Sequence, residues 1–171
     1  KELFYLAYLS QQGISDTDSL DQVFPAYLNK LKETVGWMYH SFFRLDEENQ
    51  VLAIRFTGYF PDWYMQELST KVLVKVGDAS VGRAVATKQP VTANLALVDP
   101  RIQSVISFPQ RAGYRSMSCY PVMGRLRTYG GFCAYGKNEN MFTLHDTQFL
   151  LTVANLYGAI LENKLLTNFL T

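Results

Sequence analysis

Two glycines bracket the turn with the clearest chemical potential in this sequence. Gly77 and Gly82 enclose four residues and lead into a short predicted helix. Glycine permits positive φ and a close approach of the backbone, while the first turn of a helix exposes unpaired N–H groups and a partial positive charge. These residues therefore predict a site for an anion or a carbonyl oxygen. A helix start without a ligand, capped by Asp78 or Ser80, fits the same residues.

An arginine offers a second anion contact near the long irregular stretch between Leu95 and Gly113. Long loops in compact domains are often functional, and a guanidinium group matches the geometry of carboxylate and phosphate. Arg101 is therefore a candidate anion contact, and Asn94 at the start of the loop is a further candidate ligand contact. A salt bridge between Arg101 and Asp99 is the structural alternative.

Alternation along two predicted strands groups further candidates into walls. The first strand places one set of side chains on one face: Trp37, Tyr39, Ser41 and Phe43. A later strand groups a second set: Tyr114, Ser116, Ser118 and Tyr120. Half of the second set is polar, which favours the wall of a wet cavity over a helix-packed core; a face open to solvent is the alternative. Tyr59 and Tyr135 complete the candidate ligand-binding residues.

The sequence shows no pattern that indicates catalysis. His40 falls in a predicted strand and His145 beside the start of the last helix, while Cys119 and Cys133 both fall in strands. No Ser/His/Asp arrangement, paired carboxylates or metal-ligand spacing stands out. We therefore expect no enzyme and no metal site, and the sequence names no cofactor.

Composition restricts the class of protein. The 171 residues suit one domain with a real core. Hydrophobic residues make up 48% and charged residues 18%, which excludes a disordered chain. The net charge of +1 without long basic runs argues against direct binding of nucleic acid, and no apolar run reaches the roughly 18 residues of a membrane span. Aromatic residues reach 14%, and tyrosine suits half-wet pockets and interfaces.

The candidate residues need a sheet and helices to position them. Helical periodicity covers Leu3–Leu9, Leu20–Val35 and the segment after Thr143, and the short helix after Gly77 ends near Lys88. The aromatic run 59–64 reads as a connector. Strands are predicted at Trp37–Leu45, Val51–Thr57, Val72–Val76, Val91–Ala93, Tyr114–Met123 and Tyr129–Gly136. Antiparallel strands with helices at both ends of the chain indicate an α+β domain.

Several of these segments, in order, resemble a GAF domain. The similarity runs from about Leu20 to Asn163, nearly the whole chain. Its strongest stretch is Gly77–Val91, a glycine-rich turn into a short helix that ends in Thr87-Lys88-Gln89-Pro90-Val91. The other matching segments are Asp99-Pro100-Arg101, Gly113–Val122, Gly130-Gly131-Phe132 and Phe142–Asn163.

The resemblance implies a central antiparallel sheet with the N- and C-terminal helices on one face. A short helix and the long loop would cover a ligand cavity on the other face. Family members sense cyclic nucleotides, tetrapyrroles, haem, small anions or metabolites, and some bind nothing. The loop cysteines that attach bilins or serve the family's methionine sulfoxide reductase are missing, and so is the cyclic-nucleotide signature, so these ligands are disfavoured.

The resemblance also implies a function. We expect a cytoplasmic sensory or regulatory domain of a bacterial signal-transduction protein, such as a two-component system, or of a transcription regulator. It would bind a small molecule and relay the signal through its terminal helices; a ligand-free dimerisation or relay module is the alternative. We expect one domain over residues 1–171, with a connector helix over 1–12. The C-terminal helix, over 143–171, would continue into a neighbouring domain. Expected partners are a second copy and a kinase, cyclase or DNA-binding output domain in the same chain.

Overall fold

A computed structural model describes residues 1–10, 20–35, 39–58, 60–70 and 73–170. The helices are α1 (Glu2–Ser10), α2 (Leu20–Val35), α3 (Asp62–Thr70), α4 (Ala79–Thr87), α5 (Ser107–Ala112) and α6 (Leu144–Leu170). The strands are β1 (Tyr39–Asp46), β2 (Val51–Gly58), β3 (Val74–Lys75), β4 (Val91–Ala93), β5 (Ser116–Met123) and β6 (Thr128–Gly136). A 3-10 helix covers Pro100–Val105.

The strands form one six-stranded sheet in the order β3-β2-β1-β6-β5-β4. Every hydrogen-bonded pair of neighbours is antiparallel. Helices cover both faces, so the predicted α+β fold with a central antiparallel sheet is confirmed. None of the helices in the described ranges combines the length and apolarity that a bilayer span requires.

One face of the sheet packs against α1, α2 and α6. Phe42, Tyr120 and Phe132 point from the strands to this side, where they meet Phe24 of α2 and Tyr157 of α6 in one buried cluster. Alternation along each strand sends every second side chain to these helices. The first two and the last of the helices thus lie together on one face, as expected.

The last helix begins at a reciprocal cap. The Thr143 backbone N–H donates to an Asp146 carboxylate oxygen at 3.0 Å, and the Asp146 N–H donates to the Thr143 hydroxyl at 3.2 Å. This capping box satisfies two N–H groups that the first helical turn leaves without partners. The start of α6 therefore follows directly from the sequence.

The other face carries α3, α4, the 3-10 helix and α5. The stretch from Leu95 to Gly113, expected to be irregular, is largely helical. Asp99 starts the 3-10 helix by accepting the backbone N–H of Arg101 at 2.9 Å, and Pro100 supplies a preset φ at the first position. The prediction of an aromatic connector over 59–64 is wrong for its last three residues, because α3 begins at Asp62.

Candidate functional site

The glycine turn before α4 requires its glycines. Gly77 has φ +98°, a conformation that side chains rarely adopt. At Gly82 a Cβ atom would collide with the carbonyl oxygen of Lys75. The Gly77 N–H also donates to the Gly82 carbonyl at 2.8 Å, which closes the turn. The sequence therefore fixes where the first turn of α4 meets the sheet.

The N-terminus of α4 has no side-chain cap. Asp78 occupies the cap position with extended backbone, but its side chain makes no capping hydrogen bond. The hydroxyl of Ser80 is fully buried and has no hydrogen-bond partner within the part of the chain that the structure describes. The expected cap by Asp78 or Ser80 is therefore not formed.

Ser80 lines a small cavity between the sheet and helices α3, α4 and α5. The volume of this cavity is about 40 Å³, and we call it the chamber. Three tyrosines share the lining with Ser80: Tyr64, Tyr114 and Tyr135. The remaining lining is apolar, including Phe43, Ile102, Phe108 and Met117, and none of the described residues contributes a charged side chain to it.

The tyrosine hydroxyls form a polar strip beside this apolar surface. The Tyr64 hydroxyl donates to the Tyr135 hydroxyl at 3.4 Å, and the Tyr135 hydroxyl exchanges a hydrogen bond with Ser41 at 2.8 Å. Burial raises the pKa of Tyr64, Tyr114 and Tyr135 above the ordinary phenol value. These phenols stay protonated at neutral pH, so each is able both to donate and to accept a hydrogen bond.

An aromatic ring fills the space beside the strip. Phe60 stacks on Tyr64 with ring centroids 3.7 Å apart and on Tyr39 at 4.2 Å, and it meets Tyr135 edge-on at 4.9 Å. Its side chain is only half-buried. Phe60 therefore occupies a slot between two tyrosine rings that a planar ligand group would also fit.

An arginine joins the two helices that cover the chamber. Arg111 of α5 donates to both carboxylate oxygens of Glu67 in α3, each at 2.8 Å. Its guanidinium also lies 3.8 Å from the ring centroid of Trp63. Both hydrogen bonds come from Nη1, and the ion pair together with the contact on Trp63 holds α5 against α3. We call this contact the latch.

The predicted loop contacts have structural partners outside the chamber. Arg101 pairs with Asp99 at 2.6 Å and donates to the Thr92 carbonyl at 2.8 Å. The hydrogen bonds from Arg101 lower the pKa of Asp99. Asn94 donates to the Phe142 carbonyl at 3.0 Å and accepts the Phe142 N–H at 3.1 Å. The salt-bridge alternative for Arg101 is confirmed, and neither residue lines the chamber.

The prediction that the polar face of β5 forms a wall of the cavity is wrong, because this face points to the terminal helices. Ser118 bonds the Tyr120 hydroxyl at 2.6 Å on the side of the terminal helices, and Ser116 donates to the Asn138 carbonyl at 2.7 Å. Met117 points to the chamber instead. Tyr114 lines the chamber because it precedes the strand, directly after Gly113 with φ +89°, so strand alternation does not extend to it.

The chamber thus brings together four predicted residues: Phe43 of the first predicted wall, Ser80, Tyr114 and Tyr135. Tyr39 borders it through Phe60, and its hydroxyl donates to the Ala112 carbonyl at 3.1 Å. Trp37 and Tyr59 lie outside the described residues. The sequence interpretation missed Tyr64 and Phe108 because both stand on helices it did not predict. The four-residue spacing of Tyr64 and Leu68 was the available signal for α3.

The family model of the GAF domain matches residues 17–162. The chain belongs to the GAF domain family. Its fold is similar to the GAF domain of an Acinetobacter phosphoenolpyruvate-protein phosphotransferase, with TM-score 0.73, 22% identity, and coverage of 98% of this chain and 97% of that one. A domain described as part of a two-component sensor histidine kinase from Sinorhizobium meliloti matches with TM-score 0.69 and 14% identity, covering 86% and 94% of the two chains. No curated protein matches this GAF domain.

A third match corrects an expectation. Free methionine-R-sulfoxide reductase from Neisseria meningitidis, in complex with its substrate, matches with TM-score 0.76 and 18% identity over 97% of this chain and 93% of that one. An enzyme therefore shares this GAF fold over almost its full length. The expectation that the chain is no enzyme is wrong, because it took the missing loop cysteines and catalytic spacings to exclude activity in a fold that supports it.

Proposed function

We propose that this GAF domain is a sensory module of a bacterial signalling protein or transcription regulator. It binds a small, uncharged, mostly apolar molecule in the chamber and relays binding to α1, α2 and α6. The observation that carries the proposal is the Ser80 hydroxyl, which is fully buried, lines the chamber and has no partner. A buried hydroxyl without a partner costs about 1–3 kcal/mol, and a ligand oxygen would remove that cost.

The lining defines the chemistry of the ligand. The described part of the chamber lining carries no charged side chain, which disfavours an anion, because a buried charge without a partner is strongly unfavourable. The uncapped first turn of α4 and the Ser80 hydroxyl favour an oxygen acceptor at one end. The tyrosine rings favour a planar body. A neutral phenol or a comparable aromatic carbonyl compound fits these requirements.

The chamber must grow to hold such a molecule. Its volume of about 40 Å³ suits one water molecule, whereas ligand pockets measure about 300–1,000 Å³. Phe60 is the side chain whose displacement enlarges it, since it is half-buried and stacked beside the polar strip. We infer that the ligand takes the place of Phe60 between Tyr39 and Tyr64. Opening of the latch would allow α3 to move away from α5.

Two probes of matched shape test the proposal. p-Cresol carries an aromatic ring and one oxygen, whereas 4-methylbenzoate adds a negative charge at neutral pH. We expect p-cresol to raise the melting temperature saturably, because a ligand that binds only the folded state stabilises it. Ser80→Ala should weaken that effect, and 4-methylbenzoate should have little effect on the wild-type domain. Equal effects of both probes, or no binding of p-cresol to either the wild type or Phe60→Ala, would contradict the proposal.

The small volume of the chamber favours one alternative, a ligand-free dimerisation or relay module. Leu3 and Phe4 of α1 are 80% and 82% exposed on the side of the terminal helices. A dimer would pair these helices, and an output domain such as a kinase, cyclase or DNA-binding domain would read their arrangement. Sedimentation at rising concentration tests this alternative. A dimer whose stability p-cresol leaves unchanged favours it, and a monomer at high concentration contradicts it.

A further inference from the structure

Two cysteines face each other across neighbouring strands. Cys119 of β5 is registered directly opposite Cys133 of β6. The two sulfur atoms lie 2.6 Å apart, and both side chains are fully buried. They are the two cysteines of the whole sequence. They lie on the chamber side of the sheet, between Met117 and Tyr135 of the lining.

The backbone at this pair already has the spacing of a disulfide. Directly opposed residues of an antiparallel pair have Cα atoms about 4.5 Å or about 5.5 Å apart. Both values fall within the roughly 4.4–6.8 Å that disulfides span. We propose that Cys119 and Cys133 form a redox modification site, which low-molecular-weight disulfides oxidise reversibly to a cross-strand disulfide between β5 and β6.

The chemistry is a two-step exchange. The thiolate of one cysteine attacks a sulfur atom of the small disulfide, breaking its S–S bond and forming a mixed disulfide. The thiolate of the other cysteine then attacks its neighbour's sulfur atom and releases the remaining thiolate of the reagent. The protein dithiol loses two electrons and two protons, and the reagent gains both as a dithiol or as two thiols.

Burial makes this exchange slow in the folded domain. It raises the pKa of the Cys119 thiol, and the nearby Arg101 guanidinium offsets only a part of that effect. The reactive thiolate is therefore scarce, and the reagent reaches the sulfur atoms during local opening. An equilibrium measurement that starts from the unfolded chain avoids this kinetic limit.

The test is refolding in buffers of oxidised and reduced dithiothreitol at graded ratios. After an acid quench, intact mass gives the fraction of chains lighter by two hydrogen atoms. The same ratios in concentrated urea give the effective concentration of the two thiols in the unfolded chain. We expect the native fold to raise the effective concentration of the two thiols on the order of a hundredfold over the urea value. By linkage, the oxidised domain should then unfold at higher urea.

Two other results would overturn the proposal. An effective concentration in the native state equal to or below that in urea would show that the fold holds the sulfur atoms apart. Disulfide-linked dimers or stable mixed disulfides would show that the thiols do not pair with each other. Cys133→Ser is the matched control, since it keeps Cys119 and should show neither the mass loss nor the higher urea midpoint.

Discussion

Removing the Ser80 hydroxyl should stabilise the ligand-free domain. The hydroxyl is buried without a partner, so Ser80→Ala removes a cost of about 1–3 kcal/mol. The contacts of one oxygen atom are worth a few tenths of a kcal/mol in return. The free energy of unfolding should therefore rise by about 1 kcal/mol. For a domain of this length, the melting temperature should rise by about 2–4 °C.

Urea denaturation followed by fluorescence measures the effect. A higher midpoint at unchanged slope reports a change of stability alone. Ser118→Ala is the matched control, because the Ser118 hydroxyl is equally buried but bonds Tyr120 at 2.6 Å and Thr92 at 2.7 Å. It should lower the free energy of unfolding by about 1–3 kcal/mol, since it leaves the Tyr120 hydroxyl without this partner. A loss of stability in Ser80→Ala as large as that in Ser118→Ala would refute the reasoning.

Three further substitutions test other parts of the structure. Phe60→Ala should lower the free energy of unfolding by roughly 3 kcal/mol and tighten p-cresol binding about fivefold by calorimetry, because a ring stack worth about 1 kcal/mol no longer competes; unchanged affinity would contradict the displacement of Phe60. Arg111→Lys keeps the charge but loses the planar guanidinium that lies on the Trp63 ring, so amide exchange in α3 should speed up at a cost of less than about 1 kcal/mol. Equal exchange rates would show that the latch does not hold α3. Burial lowers the pKa of the His40 imidazole to about 3. As pH falls, the unfolded chain therefore binds a proton at His40 before the folded domain does. The stability that is complete above pH 6.5 is then lost. Between pH 6.5 and 4.5 the loss should be about 2–3 kcal/mol; it should be absent in His40→Gln and retained in His145→Gln, and an equal loss in His40→Gln would contradict this origin.

The sheet and the terminal helices could be predicted because short-range signals determine them. The Asp46–Gln50 turn separates two alternating strands, and the Thr143/Asp146 box marks the start of α6. Helix α3 escaped prediction because the aromatic run before it was read as a connector, and the spacing of Tyr64 and Leu68 covers only one helical turn.

The details of the chamber depend on contacts that the sequence does not encode locally. The predicted wall of β5 failed because its half-polar character was taken to favour a wet cavity. The hydroxyls instead find partners within the protein, since Ser118 bonds Tyr120 at 2.6 Å and Ser116 donates to the Asn138 carbonyl at 2.7 Å. The volume of the chamber likewise depends on where the half-buried Phe60 ring stacks, which only the assembled tyrosines decide.

The two faces of the sheet share the strands that would carry a signal. In β6, Cys133 and Tyr135 face the chamber while Phe132 and Ala134 face the terminal helices. A rotation of this strand that widens the chamber therefore moves side chains against Tyr157 of α6 in the same step, because a close-packed interior transmits displacement instead of absorbing it.

Helix α6 is also held at the β5–β6 hairpin. A Cβ atom at Gly158 would collide with the Met123 carbonyl, so the helix and strand backbones are in direct contact there. One turn further, the Glu162 carboxylate accepts the backbone N–H groups of Arg125 at 2.9 Å and Leu126 at 2.8 Å. With these two attachments, a tilt of the hairpin must change the direction of α6, as the proposed relay through this helix requires.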